Sequence, residues 1–149
     1  YSVARNDQGM HYHNQWREFL QSCDVVSFHC PLTPETRHMF NVEDLESCNN
    51  DLVIFNTSRG EVVANEALVE GLKTGKIAFA GCDVLEGLRV DYGKKCASYV
   101  NFDSLPEGIQ AHHRSGRLML TPHTAGITTS MLRHIARTSA TQIKQLLAN

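Results

Sequence analysis

Short, continuously apolar runs recur along this chain, and most of them lead into a segment with helical spacing. Residues 24–29 (DVVSFH), 52–56 (LVIFN), 77–83 (IAFAGCD) and 118–121 (LMLT) are rich in β-forming residues and too short for helices. Residues 1–5 have the character of the tail of a further strand. A run that is apolar at consecutive positions, rather than at every second one, suits a strand covered on both faces. Such strands alternating with helices indicate a parallel sheet. The expected class is therefore α/β, a doubly wound parallel sheet.

The intervening helices have readable faces and ends. Residues 15–22 place Trp16, Phe19 and Leu20 together. Asn41 can cap a helix over 42–47, with Glu43 and Asp44 in the first turn, where the helix dipole favours acids. Residues 65–73 align Ala67, Leu68 and Leu72 and stop at Gly75. From Thr128 onward a stripe of Leu132, Ile135, Ala136, Ser139, Ile143, Leu146 and Leu147 runs toward the last residue. The small residues in 77–83 are expected to allow close helix approach. Residues 84–117 break the pattern, being polar, punctuated by Gly87, Gly93, Pro106, Gly108 and Gly116, and long. They are expected to form a long irregular excursion between two neighbouring strands, with room for one short helix, and loops of that length in compact domains are commonly functional or interface-forming.

Bulk properties exclude several classes of function. A chain of 149 residues, 42% hydrophobic, suits one domain with a real core. Its 14 basic and 16 acidic residues give a net charge of −2 and form no basic stripe, so no nucleic-acid partner is expected. The apolar runs are far too short to span a bilayer, and no membrane association is expected. Five cysteines (23, 30, 48, 82 and 96) without a CxxC pair read as reduced thiols and point to a cytoplasmic protein. Eight histidines, including His11/His13 and His112/His113, lack ligand spacing, so no metal site is expected.

In a doubly wound sheet, ligands bind beyond the carboxyl ends of the strands. Those ends carry His29 and Cys30, then Thr57, Ser58 and Arg59, then Asp83, then Thr121 and His123. A guanidinium can grip a carboxylate in two parallel hydrogen bonds, and a histidine can exchange the proton of a neighbouring hydroxyl. Each residue also has a plainer reading: Arg59 as a solvated turn charge, Asp83 as a turn or cap residue, His123 as a satisfied loop histidine. Their concentration at successive strand ends argues for the chemical reading.

Four segments in order, DVVSFHCPLTPETRHMF (24–40), LVIFNTSRGEVVANEAL (52–68), AGCDV (80–84) and TPHTAG (121–126), resemble the D-isomer-specific 2-hydroxyacid dehydrogenases. The likeness covers nearly the whole chain and implies a Rossmann-type nicotinamide-binding domain, incomplete at its N-terminus. Within the family, the 39 residues between Asp83 and His123 look closest to the D-lactate dehydrogenase-like branch. The resemblance implies NAD or NADP as cofactor, and hydride transfer between it and a small D-2-hydroxy acid or 2-keto acid. It makes Arg59 the substrate-binding catalytic arginine, His123 the acid/base, and Asp83 the residue holding the nicotinamide carboxamide. Cys30, Pro31, Thr36, Thr57, Ser58 and Arg59 would line the nicotinamide and ribose, with His123, Ala125 and Gly126 beside the ring. It also implies a homodimer for the full-length protein.

Three departures shape the expectations. No glycine-rich GxGxxG turn, whose N–H groups would hold the pyrophosphate, occurs in the chain, and no segment matches the family's substrate domain. Residues 1–149 are thus expected to be a partial dinucleotide-binding domain, inactive in isolation. The sheet is expected either to re-pair across the slot of the strand preceding that turn or to receive another chain there. Secondly, Leu88 stands where the family carries a glutamate that supports the catalytic histidine. Glu86, or Asp91, is expected to take its place. Thirdly, the cofactor-selecting position falls in the first residues. Ser2 in register with Arg5 nearby would suit a 2′-phosphate and NADP, whereas Asp7 on the ribose would suit NAD. A rival expectation is a catalytically inactive nucleotide-binding or protein-interaction module of the same fold.

Overall fold

The structure, a computed structural model, describes residues 2–6, 9–13, 15–88, 90–92, 98–100, 102–126 and 128–147. In chain order its elements are β1 (Ser2–Asn6), β2 (Gly9–His13), α1 (Trp16–Gln21), β3 (Val25–Phe28), β4 (Leu52–Asn56), α2 (Asn65–Thr74) and β5 (Ile77–Cys82). There follow β6 (Val90–Tyr92), β7 (Ser98–Val100), α3 (Glu107–Arg114), β8 (Leu118–Leu120) and α4 (Thr129–Leu147), with 3₁₀ turns at Val42–Ser47, Gly60–Val62 and Phe102–Ser104.

The expected parallel sheet is present, with strand order β3-β4-β5-β8 and every pairing parallel. Each crossover steps to the neighbouring strand, which brings the four carboxyl ends to one edge. Alternation along the strands separates two faces. Val26, Phe28, Leu52, Ile54, Ala80, Cys82 and Leu118 point into the core, where they meet Leu20, Phe40, Leu68, Leu72 and Ile109. Full burial of each large aliphatic side chain contributes about 1.5–3 kcal/mol. The covering layer is continuous, since α1 packs on the Val42–Ser47 turn, that turn on α2, and α2 on α3.

The double cover expected from the apolar runs is not found among the described residues. Val25 (55% exposed), Phe55 (38%) and Met119 (55%) lie on the opposite face of the sheet. Residues that look doubly buried in the sequence therefore alternate between core and surface. Leu132 of α4 is exposed as well, while the stripe residues Ile135, Ile143, Leu146 and Leu147 have side chains outside the described set.

Local chemistry accounts for the helix ends. Asn41 Oδ1 accepts from the Glu43 amide at 2.9 Å, and Asp44 Oδ2 accepts from the Asn41 amide at 2.9 Å, so the expected cap forms on a 3₁₀ turn instead of an α-helix. α2 ends at Gly75, whose φ of 82° only glycine adopts without strain. Close approach of this helix to the sheet depends on Gly71, where a Cβ would lie 2.5 Å from Ile77 Cδ1. Of the small residues on β5, Ala80 is fully buried on the core face, and Gly81 makes room for the Phe55 ring.

Two further expectations change. β1 does not rejoin the main sheet; it pairs antiparallel with β2, and the outer edge of β3 has no strand partner among the described residues. Only residues 7 and 8 separate β1 from β2, so the hairpin closes with the least loop entropy. The 84–117 excursion is also more ordered than its composition suggests. It contains the β6–β7 hairpin and α3, and it places Leu105 and Ile109 in the core. Cys96 and Asp7, and the side chain of Asp91, lie outside the described residues.

Candidate active site

The turn after β4 is built on a buried asparagine. Asn56, 1% exposed, accepts from the Ser58 amide at 3.1 Å and the Ser58 hydroxyl at 2.9 Å, and its Nδ2 donates to the Arg59 carbonyl at 2.9 Å. Its own carbonyl accepts from the Asp83 amide at 2.9 Å. All its polar groups are engaged, as burial requires. The turn leaves Thr57 exposed, turns the Ser58 hydroxyl inward, and presents Arg59 in extended backbone to solvent. One Arg59 Nη1 hydrogen bond goes to the Ser58 carbonyl at 2.7 Å, which leaves most of the guanidinium fork available.

The turn after β8 hangs from Asp83. This carboxylate is 4% exposed and takes three hydrogen bonds from one short loop: the Thr121 hydroxyl and the Thr124 amide (2.7 Å) on Oδ1, and the Ala125 amide (2.9 Å) on Oδ2. The Asp83 carbonyl also accepts from the His123 amide at 3.1 Å. These bonds hold His123 at φ 56°, in the left-handed region that a histidine seldom enters. A carboxylate offers about four acceptor sites, so one remains on Oδ2 for a ligand donor. Beneath the loop, burial pushes the Cys82 thiol up to about 12, against an opposing hydrogen bond with the Asn56 backbone. Cys82 is thus an uncharged core residue at the end of β5.

Arg59, Asp83 and His123 line one cavity of about 170 Å³ together with Gly60, Val84, Leu85 and Leu88. Three of the residues singled out in the sequence are therefore brought together. Cys30, Pro31 and Thr36 belong to the loop after β3 and do not line this cavity. Thr36 is occupied within that loop, donating to the Pro31 carbonyl at 2.7 Å and accepting from the Thr33 amide at 2.8 Å. Cys30 lies 3.7 Å from the Met39 sulfur. Ala125 and Gly126 are exposed beside His123, and a Cβ on Gly126 would meet open space.

Glu86 does not join His123. Its carboxylate lies 2.9 Å from His38 Nε2 and 3.9 Å from Arg37, while Leu88, in the glutamate's place, lines the cavity wall. Among the described residues the His123 ring has no hydrogen-bond partner. Asn56, Thr124 and His38 also hold the loops of this edge and were not singled out in the sequence, whereas Thr121, named there at its strand end, holds Asp83. The dipeptide Asn56–Thr57 after an apolar run was the available signal for the first, since asparagine at a strand end commonly organises the turn that follows.

The exposed edge offers a ligand a held carboxylate with a free acceptor site, an exposed threonine, and open backbone at Ala125–Gly126. Among the described residues no group of three His, Cys, Asp or Glu side chains could hold a metal ion, and no helix is long and apolar enough to cross a membrane.

Comparison with known proteins identifies the family. Residues 2–125 match the D-isomer specific 2-hydroxyacid dehydrogenase, NAD binding domain. D-lactate dehydrogenase of Escherichia coli (strain K12) is 34% identical over 145 residues, covering 97% of this chain and 43% of the relative. The putative D-lactate dehydrogenase of Dictyostelium discoideum is 34% identical over 138 residues, covering 91% and 39% respectively. Among solved structures, the D-isomer specific 2-hydroxyacid dehydrogenase of Lactobacillus delbrueckii ssp. bulgaricus, in an NAD complexed form, has a TM-score of 0.78. It is 27% identical, covering 91% of this chain and 40% of that one. The chain spans about two fifths of the length of these relatives. It belongs to the D-isomer specific 2-hydroxyacid dehydrogenases and corresponds to their NAD-binding domain.

Proposed function

We propose that this chain forms the nicotinamide face of an NAD-dependent dehydrogenase that interconverts a small D-2-hydroxy acid and its 2-keto acid. The observation that carries the reading is the shared cavity of Arg59, Asp83 and His123 at adjoining strand ends. The free N–H groups of Arg59 bind the substrate carboxylate as a fork. His123 takes the hydroxyl proton in oxidation and returns it to the carbonyl oxygen in reduction. The nicotinamide, when bound, accepts or supplies the hydride. Asp83 holds the histidine loop and offers its remaining acceptor site to the carboxamide, while Thr57, Ala125 and Gly126 flank the ring. Cys30 and Pro31 extend that wall from the loop after β3, with Thr36 and Ser58 shaping the two loops from within.

The likeness to an NAD complexed relative favours NAD, and β1, which carries Ser2 and Arg5, is where a preference for NADP would be written. The four described cysteines are free, in keeping with a cytoplasmic setting. We extend the reading to a homodimeric full-length protein with a substrate domain beyond these residues. A second reading, an inactive nucleotide-binding or interaction module, is favoured by one observation: Leu88 gives the His123 ring no carboxylate. Following NADH and NADPH oxidation by the whole protein with a panel of 2-keto acids separates the two. Turnover lost in Arg59→Ala and His123→Ala supports the enzyme. Cofactor binding without turnover on any acid supports the module.

A further inference from the structure

Glu86 has no part in the proton transfer above, yet three loops of the site converge on it. Its Oε2 lies 2.9 Å from His38 Nε2, and its Oε1 lies 3.9 Å from Arg37 Nη1. Arg37 Nη2 is in turn 4.0 Å from Glu61 Oε1. The His38 amide donates to the Glu61 carbonyl at 2.7 Å, Phe40 N donates to Val62 O, and Ala64 N donates to Phe40 O. Residues 38–40, beyond β3, therefore run beside 61–64, beyond β4. The Glu86 backbone fastens the third loop: its carbonyl accepts from Asn65 Nδ2 at 3.0 Å. A Cβ on Gly60 would lie 2.3 Å from the Leu85 carbonyl carbon and 2.5 Å from the Glu86 nitrogen, so the turn carrying Arg59 rests directly on this peptide.

We propose that Glu86 is a positioning residue for Arg59. Through His38 and Arg37 it clamps the loops after β3, β4 and β5 and fixes the height of the Arg59 turn above the cavity. The proposal rests on the reading of Arg59 as the group that binds the substrate carboxylate. It gives the carboxylate nearest the missing glutamate a task on the arginine side of the site, away from His123. His38 and Glu86 are 42% and 32% exposed, so the clamp acts on local opening of these loops and not on global stability.

The test compares the chain with Glu86→Gln, which keeps an acceptor for His38 but loses the charge, and Glu86→Ala, which loses both. Hydrogen exchange followed by mass spectrometry on the ligand-free chain is expected to show residues 38–40 and 60–64 opening about five-fold faster in the Gln variant and faster still in the Ala variant. Amides of β4 and β5 keep their rates, and the His123 ring resonances stay in place. In the whole protein, KM for the 2-keto acid rises several-fold while kcat changes by less than about two-fold, the signature of lost binding. Unchanged exchange, or acceleration spread over the whole sheet, overturns the clamp. So does a shift of the His123 resonances with a fall in kcat at constant KM, which would make Glu86 the histidine's partner after all. Absence of turnover in the parent protein would overturn the proposed activity, with the exchange measurement still deciding the clamp.

Discussion

The two halves of the site are held by different means. On the histidine side, one buried carboxylate takes three hydrogen bonds from residues 121–125 and imposes a left-handed backbone on His123. On the arginine side, the turn after β4 is organised internally by Asn56 and braced from outside by backbone contact at Gly60 and a partly exposed contact between Glu86 and His38. A buried charge must be fully compensated, so its loss is costly, whereas a solvated pair contributes little. The His123 loop is thus anchored on a buried group, while the Arg59 turn is held by a solvated clamp that local opening can release.

The largest expected effect is that of Asp83→Ala. It leaves the donors of the 121–125 loop without their acceptor and should cost about 2–4 kcal/mol in denaturant unfolding, with the loop's amide protection lost. A cost below about 1 kcal/mol would show that water replaces the carboxylate and would erase the contrast between the halves. Next comes Gly60→Ala, whose Cβ meets backbone and not a movable side chain. A cost of about 1–3 kcal/mol in the same measurement is expected, because the Leu85–Glu86 peptide has to shift. Leu88→Glu sharpens the histidine side: a carboxylate in the cavity favours the charged imidazole. By NMR, the His123 ring resonances should move in this variant while those of His38 stay in place; unmoved His123 resonances would show that the new carboxylate does not reach the ring. The smallest effect belongs to Arg37→Ala, under about 1 kcal/mol and shrinking as salt is added.

What could be read in the sequence divides along the same physical line. The four parallel strands and α2 announce themselves because apolar runs and a glycine stop are local signals. Arg59, Asp83 and His123 could be singled out because strand ends in such a sheet point to one edge, and the structure brings them to one cavity. Contacts over long separations left no mark. Glu86 and His38 stand 48 residues apart in the chain, so adjacency gave no sign that this carboxylate meets His38. α3 was underweighted because Ile109 is its only large aliphatic anchor. The parallel sheet was legible but the exposure of Val25, Phe55 and Met119 was not, because consecutive valines, or the sequence LVIF, look alike whether one side or both are buried.

The central claim is that the strand-end edge between Thr57 and Gly126 receives the nicotinamide. Nicotinamide mononucleotide probes that half of the cofactor without the pyrophosphate and adenosine. Titrating it into the ¹⁵N-labelled chain should shift the amide resonances of Cys30, Thr57, Arg59, Thr124 and Ala125, leaving α2 and α3 untouched. Shifts confined to the helical layer, or absent at saturating ligand, would contradict the account.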